Sequence, residues 1–407
     1  LAAGGEFAYI LPNKWMRANY GKPLRAWLKE RRIEEIIDFG DLPVFESATT
    51  YPCILRIGAG SPRERFDAVQ VETLEYPDLT EYVKAHSYPV NQTYLDDEGW
   101  SLADEMTQAL LEKIKGAGVP LGTYVDGKIY YGIKTGLNEA FVIDEATRER
   151  LIAEDPRSAE VIKPFLAGRE IRRYQPVAAS NYLLFIPWHF PLHEDPSIEG
   201  ASIEAEMKFK EMYPSIFNYL SQFKDKLSKR NQAETGIRYE WYALQRYGSL
   251  YYQEFERPKI IYAEIATRGQ FTIDSDSHYP DTTSYILGNS SPYLVGILNS
   301  TLWTFLFSNI SSEIRGGFFR WKRQYMENLP IRPIDPADPS DVARHDRMVA
   351  LVEKMLDLNK RLAAAKAPHE KEALAGMIDA TDRQIDRLVY ELYGLTEEEI
   401  AVVEGAV

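Results

Sequence analysis

Phe7-Ala-Tyr-Ile-Leu-Pro-Asn-Lys-Trp-Met-Arg-Ala-Asn-Tyr-Gly-Lys-Pro-Leu-Arg-Ala-Trp-Leu28 changes its apolar period half-way along. Residues 7–11 form an apolar run of strand length. Leu24, Trp27 and Leu28 then fall at the three- and four-residue intervals of a helix, spanning about 20–31. Residues 33–39 and 53–57 are apolar runs again. Strands alternating with a helix predict the edge of an α/β sheet. Leu-Ala-Ala-Gly-Gly leads directly into the first run, which reads as a chain that starts inside a domain and not as a signal peptide.

The chain has 407 residues, 45% of them hydrophobic and 12% aromatic, enough for two or three cores and too apolar for wholesale disorder. Its net charge of −14 argues against a uniformly basic nucleic-acid coat. The acidity is local, however. Residues 64–118 carry 4 basic and 12 acidic side chains and residues 335–407 carry 9 and 16, leaving the remainder close to neutral. A single cysteine, Cys53, excludes an internal disulfide and fits a reducing cytoplasm. One cysteine and 6 scattered histidines predict no metal site. No apolar run reaches the roughly 18 residues of a membrane span. The best candidate, residues 293–307, is interrupted by Asn299, Ser300, Thr301 and Thr304.

Residues 102–114 read as a helix inside the acidic stretch, with Ser101 as its cap. From 119 to 334, short strands (129–133, 182–186, 259–265, 270–273) alternate with helical stretches (146–154, 202–210, 292–307), as in an α+β domain. Pro330, Pro333, Pro336 and Pro339 space out a linker. Residues 342–364 and 370–392 then have the periodicity of two amphipathic helices in a hairpin.

Nucleotide motifs are missing: no G-x-G-x-x-G follows a strand, and there is no G-x-x-x-x-G-K-[ST]. Ile133-Lys-Thr-Gly-Leu-Asn138 lacks phosphate-loop spacing. Pro191 breaks the helix a His189/His193 metal pair needs. Asp195, Glu206 and Lys208 have nuclease-like spacing, but such triples arise by chance among 61 acidic residues. More informative are three basic stretches interleaved with aromatics. One holds Lys163, Arg169, Arg172, Arg173 and Tyr174; another runs from Lys224 to Tyr247 with Arg238, Tyr239 and Trp241. The third is Arg315-Gly-Gly-Phe-Phe-Arg-Trp-Lys-Arg323. Arginine forks suit phosphates and guanine edges, and Gly316-Gly317 allows close approach to a groove. Each alone is an ordinary solvated loop; three in one segment point to DNA.

Taken in order, these pieces resemble the C-terminal part of gamma-class DNA adenine-N6 methyltransferases with a TaqI-like specificity domain, found in type II and type IIG restriction-modification enzymes. Gly4-Gly-Glu-Phe-Ala-Tyr-Ile-Leu-Pro-Asn-Lys-Trp15, Ile36-Ile-Asp-Phe-Gly-Asp-Leu-Pro-Val-Phe45 and Ala48-Thr-Thr-Tyr-Pro-Cys-Ile-Leu55 resemble the end of the methyltransferase sheet. Thr135-Gly-Leu-Asn-Glu-Ala-Phe141, Ile162-Lys-Pro-Phe-Leu-Ala-Gly-Arg-Glu-Ile171 and Asn328-Leu-Pro-Ile-Arg-Pro333 resemble the specificity domain. Ile385-Asp-Arg-Leu-Val-Tyr-Glu-Leu-Tyr-Gly-Leu395 resembles the type IIG tail. The resemblance implies an α/β remnant of a methyltransferase sheet (1–66), an acidic connector with a helix (67–118), an α+β target-recognition domain (119–334) and a C-terminal helical hairpin (335–407).

It also implies double-stranded DNA as partner, together with an upstream methyltransferase half and, in longer members, an endonuclease. Phe45 is implied as the aromatic that stacks on an extruded adenine. The expected DNA contacts are Lys134, Thr135, Asn138, Lys163, Arg169, Arg172 and Arg173 in the first half of the recognition domain. Arg238, Tyr239, Arg315, Gly316, Gly317, Arg320, Lys322 and Arg323 follow in the second. The family's S-adenosylmethionine loop and Asn-Pro-Pro-Tyr motif do not occur here. The chain alone is therefore expected to hold no cofactor and to be inactive, with S-adenosylmethionine bound only in the full-length enzyme. Two other readings remain: a stand-alone specificity subunit, and a carbohydrate-active protein with two facing carboxylates.

Overall fold

The computed structural model describes all residues except 47–49, 98, 312, 315 and 407. The first unit is a five-stranded sheet of β1 (Glu6–Pro12), β2 (Arg32–Asp38), β3 (Pro52–Gly58), β4 (Arg65–Gln70) and β5 (Tyr88–Asn91), in the order β1-β3-β2-β4-β5. The helix Lys22–Lys29 joins β1 to β2, and the β2–β4 pair is parallel. One face of the sheet packs Trp15, Leu28, Ile36, Leu55 and Phe66 with Trp100; the other packs Ile37, Val69 and Val83. Arg25 lies fully inside this unit. Its guanidinium donates to the carbonyls of Trp15, Ala18 and Asp97, so the buried charge is satisfied by backbone oxygens.

The expected boundary at residue 66 is corrected by β4 and β5, which hydrogen-bond into this sheet. In β4, Phe66 and Ala68 are buried while Arg65 and Asp67 face out. Asp67, one of the acidic residues that suggested a connector, lies on the solvent side of this alternating strand. The helix Glu105–Gly116 is capped by Asp104, whose side chain accepts from the Thr107 amide. Ser101 donates instead to Asn309, 3.1 Å away.

Beyond residue 118, β6 (Val119–Pro120), β7 (Ile129–Tyr131), β8 (Val142–Ile143), β9 (Ile162–Leu166) and β10 (Asn181–Leu184) precede a helical segment. Then come β11 (Lys259–Ala263), β12 (Ile265–Ala266), β13 (Phe271–Asp274), β14 (Tyr279–Pro280) and β15 (Ser284–Leu287). Last are β16 (Glu313–Ile314), β17 (Phe318–Arg320) and β18 (Pro330–Ile331). Two four-stranded sheets, β14-β9-β10-β8 and β13-β11-β15-β7, each support their own core. A small sheet β12-β17-β16 stands on the second.

The helix expected over 292–307 is two helices, Pro292–Leu298 and Thr301–Ile310. Asn299 causes the break by exchanging hydrogen bonds with the Phe271 backbone in β13, both 2.9 Å, and Ser300 caps the second helix. The C-terminal hairpin, Pro339–Ala364 with Pro368–Leu392, is not a separate tail. Met348, Val352, Ile385 and Leu388 share a core with Leu294 and Trp303. Gly296 permits the close approach, since a Cβ there would sit 2.4 Å from the Met348 sulfur. Nor is the proline segment a free linker. Pro330 pairs with β6, and the Arg332 guanidinium bonds Asp341. No helix among the described residues is long and apolar enough to cross a membrane.

Candidate nucleic-acid interface

The chain from Pro280 to Ser284 is the hub of the site. The Ile133 amide donates to the Pro280 carbonyl (2.8 Å) and the Gly132 amide to that of Ser284 (3.1 Å). The Asp281 amide donates to Leu166 O, and the Asp281 carboxylate accepts from the Gly168 and Thr283 amides and the Thr283 and Ser284 hydroxyls. The Glu264 amide donates to Thr283 O, and the Trp321 amide to Glu264 O. Four segments far apart in sequence are thereby brought together by backbone bonds. Glycine is required at two of these contacts: a Cβ on Gly132 would lie 1.8 Å from the Asp281 oxygen, and one on Gly168 2.4 Å from the Thr283 oxygen.

Around this hub stand several of the expected cations. Lys134 and Arg246 are antiparallel partners across an isolated bridge. Both are exposed, and neither has a carboxylate partner among the described residues. Arg169 and Arg172 are exposed on the turn after β9, with Arg172 donating to the Arg169 and Ile171 carbonyls. On β17, Arg320 pairs with Glu264 at 3.0 Å, and Lys322 lies 3.9 Å from the same carboxylate. Arg323 donates to Glu327 and to the Ile129 carbonyl. Gly316 and Gly317 have φ of +92° and +77°, the left-handed turn expected of a glycine pivot. Arg315 lies outside the described residues. The aromatic that anchors the loop is Trp321, stacked on Phe307 at 4.0 Å, whereas Phe318 is exposed.

Other expected contacts sit elsewhere. Arg173 is turned inward: it donates to the Asn299 carbonyl and to both oxygens of Asp382, fixing the domain to the hairpin. Tyr239 is fully buried, stacked on Trp188 at 4.7 Å, and cannot meet a base. Arg238 pairs with Glu234, four residues earlier in a turn, and Lys163 with Glu256. Thr135 is buried and donates to Asn138 at 2.5 Å, so both shape the turn beside Lys134. Arg230 braces that turn from below by donating to the Thr135 carbonyl; burial pulls its guanidinium down to about 10. Asp195, Glu206 and Lys208 each have separate partners, Ser197, Trp241 and Glu204. Among the described residues no cluster of His, Cys, Asp and Glu could hold a metal.

A cleft of about 960 Å³ adjoins this rim. Asn13, Asp38, Gly40, Leu42 and Tyr88 line it from the first unit, and Phe305, Asn309 and Phe319 from the other side. β17 is the shared wall. Phe319 faces the cleft, while Phe318 and Arg320 point to the opposite face, as alternation along a strand demands. The Asp38 carboxylate accepts from Asn13 Nδ2 (2.7 Å) and from the Gly40 amide (3.0 Å), holding the loop that leads to Phe45. Phe45 is 42% exposed and does not belong to either core of this sheet. Glu264 and Arg246 are not among the contacts expected from the sequence. The signal for Arg246 was its place in the second basic stretch; for Glu264 no sequence signal existed.

Residues 163–331 match the family described as TaqI-like C-terminal specificity domain, and residues 1–45 match Eco57I restriction-modification methylase. The chain is 25% identical over its full length to the type II methyltransferase M.PaeR7I of Pseudomonas aeruginosa, of which it covers 64%. It is 24% identical over 98% of its length to the type II restriction enzyme and methyltransferase RM.Eco57I of Escherichia coli, covering 42%. The chain thus spans less than two thirds of the length of these relatives. Its fold is similar to that of the type IIL restriction-modification enzyme MmeI, solved in complex with DNA, with a TM-score of 0.56 at 13% identity over the whole of this chain and 50% of the other.

Proposed function

We propose that this chain, which carries a TaqI-like specificity domain over residues 163–331, reads double-stranded DNA as the specificity portion of a restriction-modification adenine-N6 methyltransferase. The observation that carries the reading is the hub at Pro280–Ser284, whose hydrogen bonds join the segments that bear Lys134, Arg169, Arg246 and Arg320, with β17 shared between them and the cleft. The rim binds phosphates through its unpaired cations and base edges through Arg320. The adenine leaves the stack toward the cleft, and Phe45 replaces part of the stacking it loses. S-adenosylmethionine supplies the methyl group and belongs with the Asn-Pro-Pro-Tyr motif in a methylase portion outside these 407 residues. That portion packs against β1, whose Phe7, Tyr9 and Ile10 are exposed on both faces of an edge strand.

Fluorescence anisotropy with labelled duplex tests this. Phosphate contacts release counterions, so affinity should fall steeply as salt rises. Binding that is indifferent to salt, or no duplex binding at low salt, overturns the proposal.

A further inference from the structure

Glu264 is out of place on a surface meant for polyanions. Its side chain is 12% exposed, and it faces Arg320 and Lys322 together. Its backbone is held from both sides, by the Thr283 carbonyl and the Trp321 amide, so the carboxylate cannot swing away with a mobile loop. Neither Arg320 nor Lys322 has another carboxylate partner among the described residues. Arg320 contacts Glu264 through Nη1 alone, which leaves Nε, Nη2 and the second Nη1 proton without an acceptor among the described residues. The same carboxylate also helps to raise the phenol pKa of Tyr131, where burial is the larger cause.

We infer that Glu264 is a positioning residue with two effects: it orients the Arg320 fork for base reading, and it screens Arg320 and Lys322 against indiscriminate phosphate binding. This rests on the DNA-reading function proposed above. A guanidinium already oriented by a carboxylate loses less freedom on meeting a guanine, because its rotamer is fixed beforehand. A lone arginine would fall onto the nearest phosphate instead. Matched charges at the rim therefore favour specificity over raw affinity.

The test uses the whole chain and a duplex pool with a randomised centre, sequenced after binding at two salt concentrations. The wild type enriches one motif. Glu264→Gln should bind the total pool on the order of tenfold more tightly, with a salt slope steeper by roughly one unit, as a freed cation takes a phosphate. Enrichment at one base pair should at the same time fall by on the order of tenfold, within the range of a lost bidentate contact. Glu264→Asp restores the charge, and with it the wild-type salt slope. A merely structural role would lower binding to every sequence without steepening the slope, and that result overturns the inference. So does a Glu264→Gln variant with unchanged enrichment and slope beside a discriminating wild type. A wild type that binds no duplex removes the functional reading itself, and the role of Glu264 with it.

Discussion

Replacing Arg173 by methionine separates an interior arginine from a DNA-binding one. The side chain is 13% exposed, and its four donor contacts go to Asn299 O and the Asp382 carboxylate. Asp386 lies nearby, its carboxyl raised chiefly by burial, so removal of the guanidinium leaves two acidic groups in a poorly solvated place. Breaking such a pair from one side costs about 3–5 kcal/mol. Urea denaturation should show that loss for Arg173→Met. The double variant Arg173→Met/Asp382→Leu should recover most of it, because removing both charges is close to neutral. DNA affinity per folded molecule should be unchanged in both. If Arg173→Met keeps full stability but binds DNA more weakly, with a salt slope shallower by about one unit, the arginine faces DNA and the interior assignment is wrong.

Gly132→Ala should destabilise the chain by more than the roughly 1–3 kcal/mol of ordinary overpacking, because its Cβ would meet backbone and not a yielding side chain. A variant of wild-type melting temperature contradicts the hub. Asp274 is buried against Lys259 and His278; burial alone would raise its carboxyl, but the His278 hydrogen bond and Lys259 hold it down to about 2 from its ordinary 3.8. A depressed carboxyl stabilises the fold above its unfolded pKa and loses that contribution as pH falls toward 2, so about 2 kcal/mol should disappear between pH 4 and 2. The acid limb of Lys259→Met/Asp274→Asn should lack that portion; identical limbs refute the pairing. In a methylase-complete protein, Phe45→Ala should lower methylation through the loss of roughly 1–3 kcal/mol of stacking while duplex affinity holds. Equal losses in both assays return Phe45 to a structural role.

The strands and long helices were legible in the sequence because their periods are local. Phe7 to Leu11 reads as a strand and Leu24 to Leu28 as a helix from neighbouring residues alone. The errors lie where chemistry crosses long distances. Phe66 and Ala68 alternate with Arg65 and Asp67, but the acidity of the stretch outweighed a pattern only six residues long. Asn299 breaks a helix because its amide reaches the backbone of β13, 28 residues earlier. Arg173 looks like its neighbour Arg172, yet Asp382, 209 residues away, claims it. The candidate site behaves the same way. Glycines 316 and 317 announced their turn, but the union of Lys134, Arg169 and Arg320 depends on the Asp281 carboxylate and Glu264 backbone, which carry no motif.

On the proposed function, the rim reads sequence through Arg320 and holds phosphate through its unpaired cations. Competition between a duplex selected by the wild type and a scrambled duplex, measured for Arg320→Ala and Lys134→Ala, tests it most directly. Arg320→Ala should lower the ratio of the two affinities by about 1–3 kcal/mol. Lys134→Ala, which removes an exposed cation without a carboxylate partner among the described residues, should weaken both duplexes alike and flatten the salt slope by roughly one unit. An Arg320→Ala variant that keeps the wild-type ratio contradicts the claim.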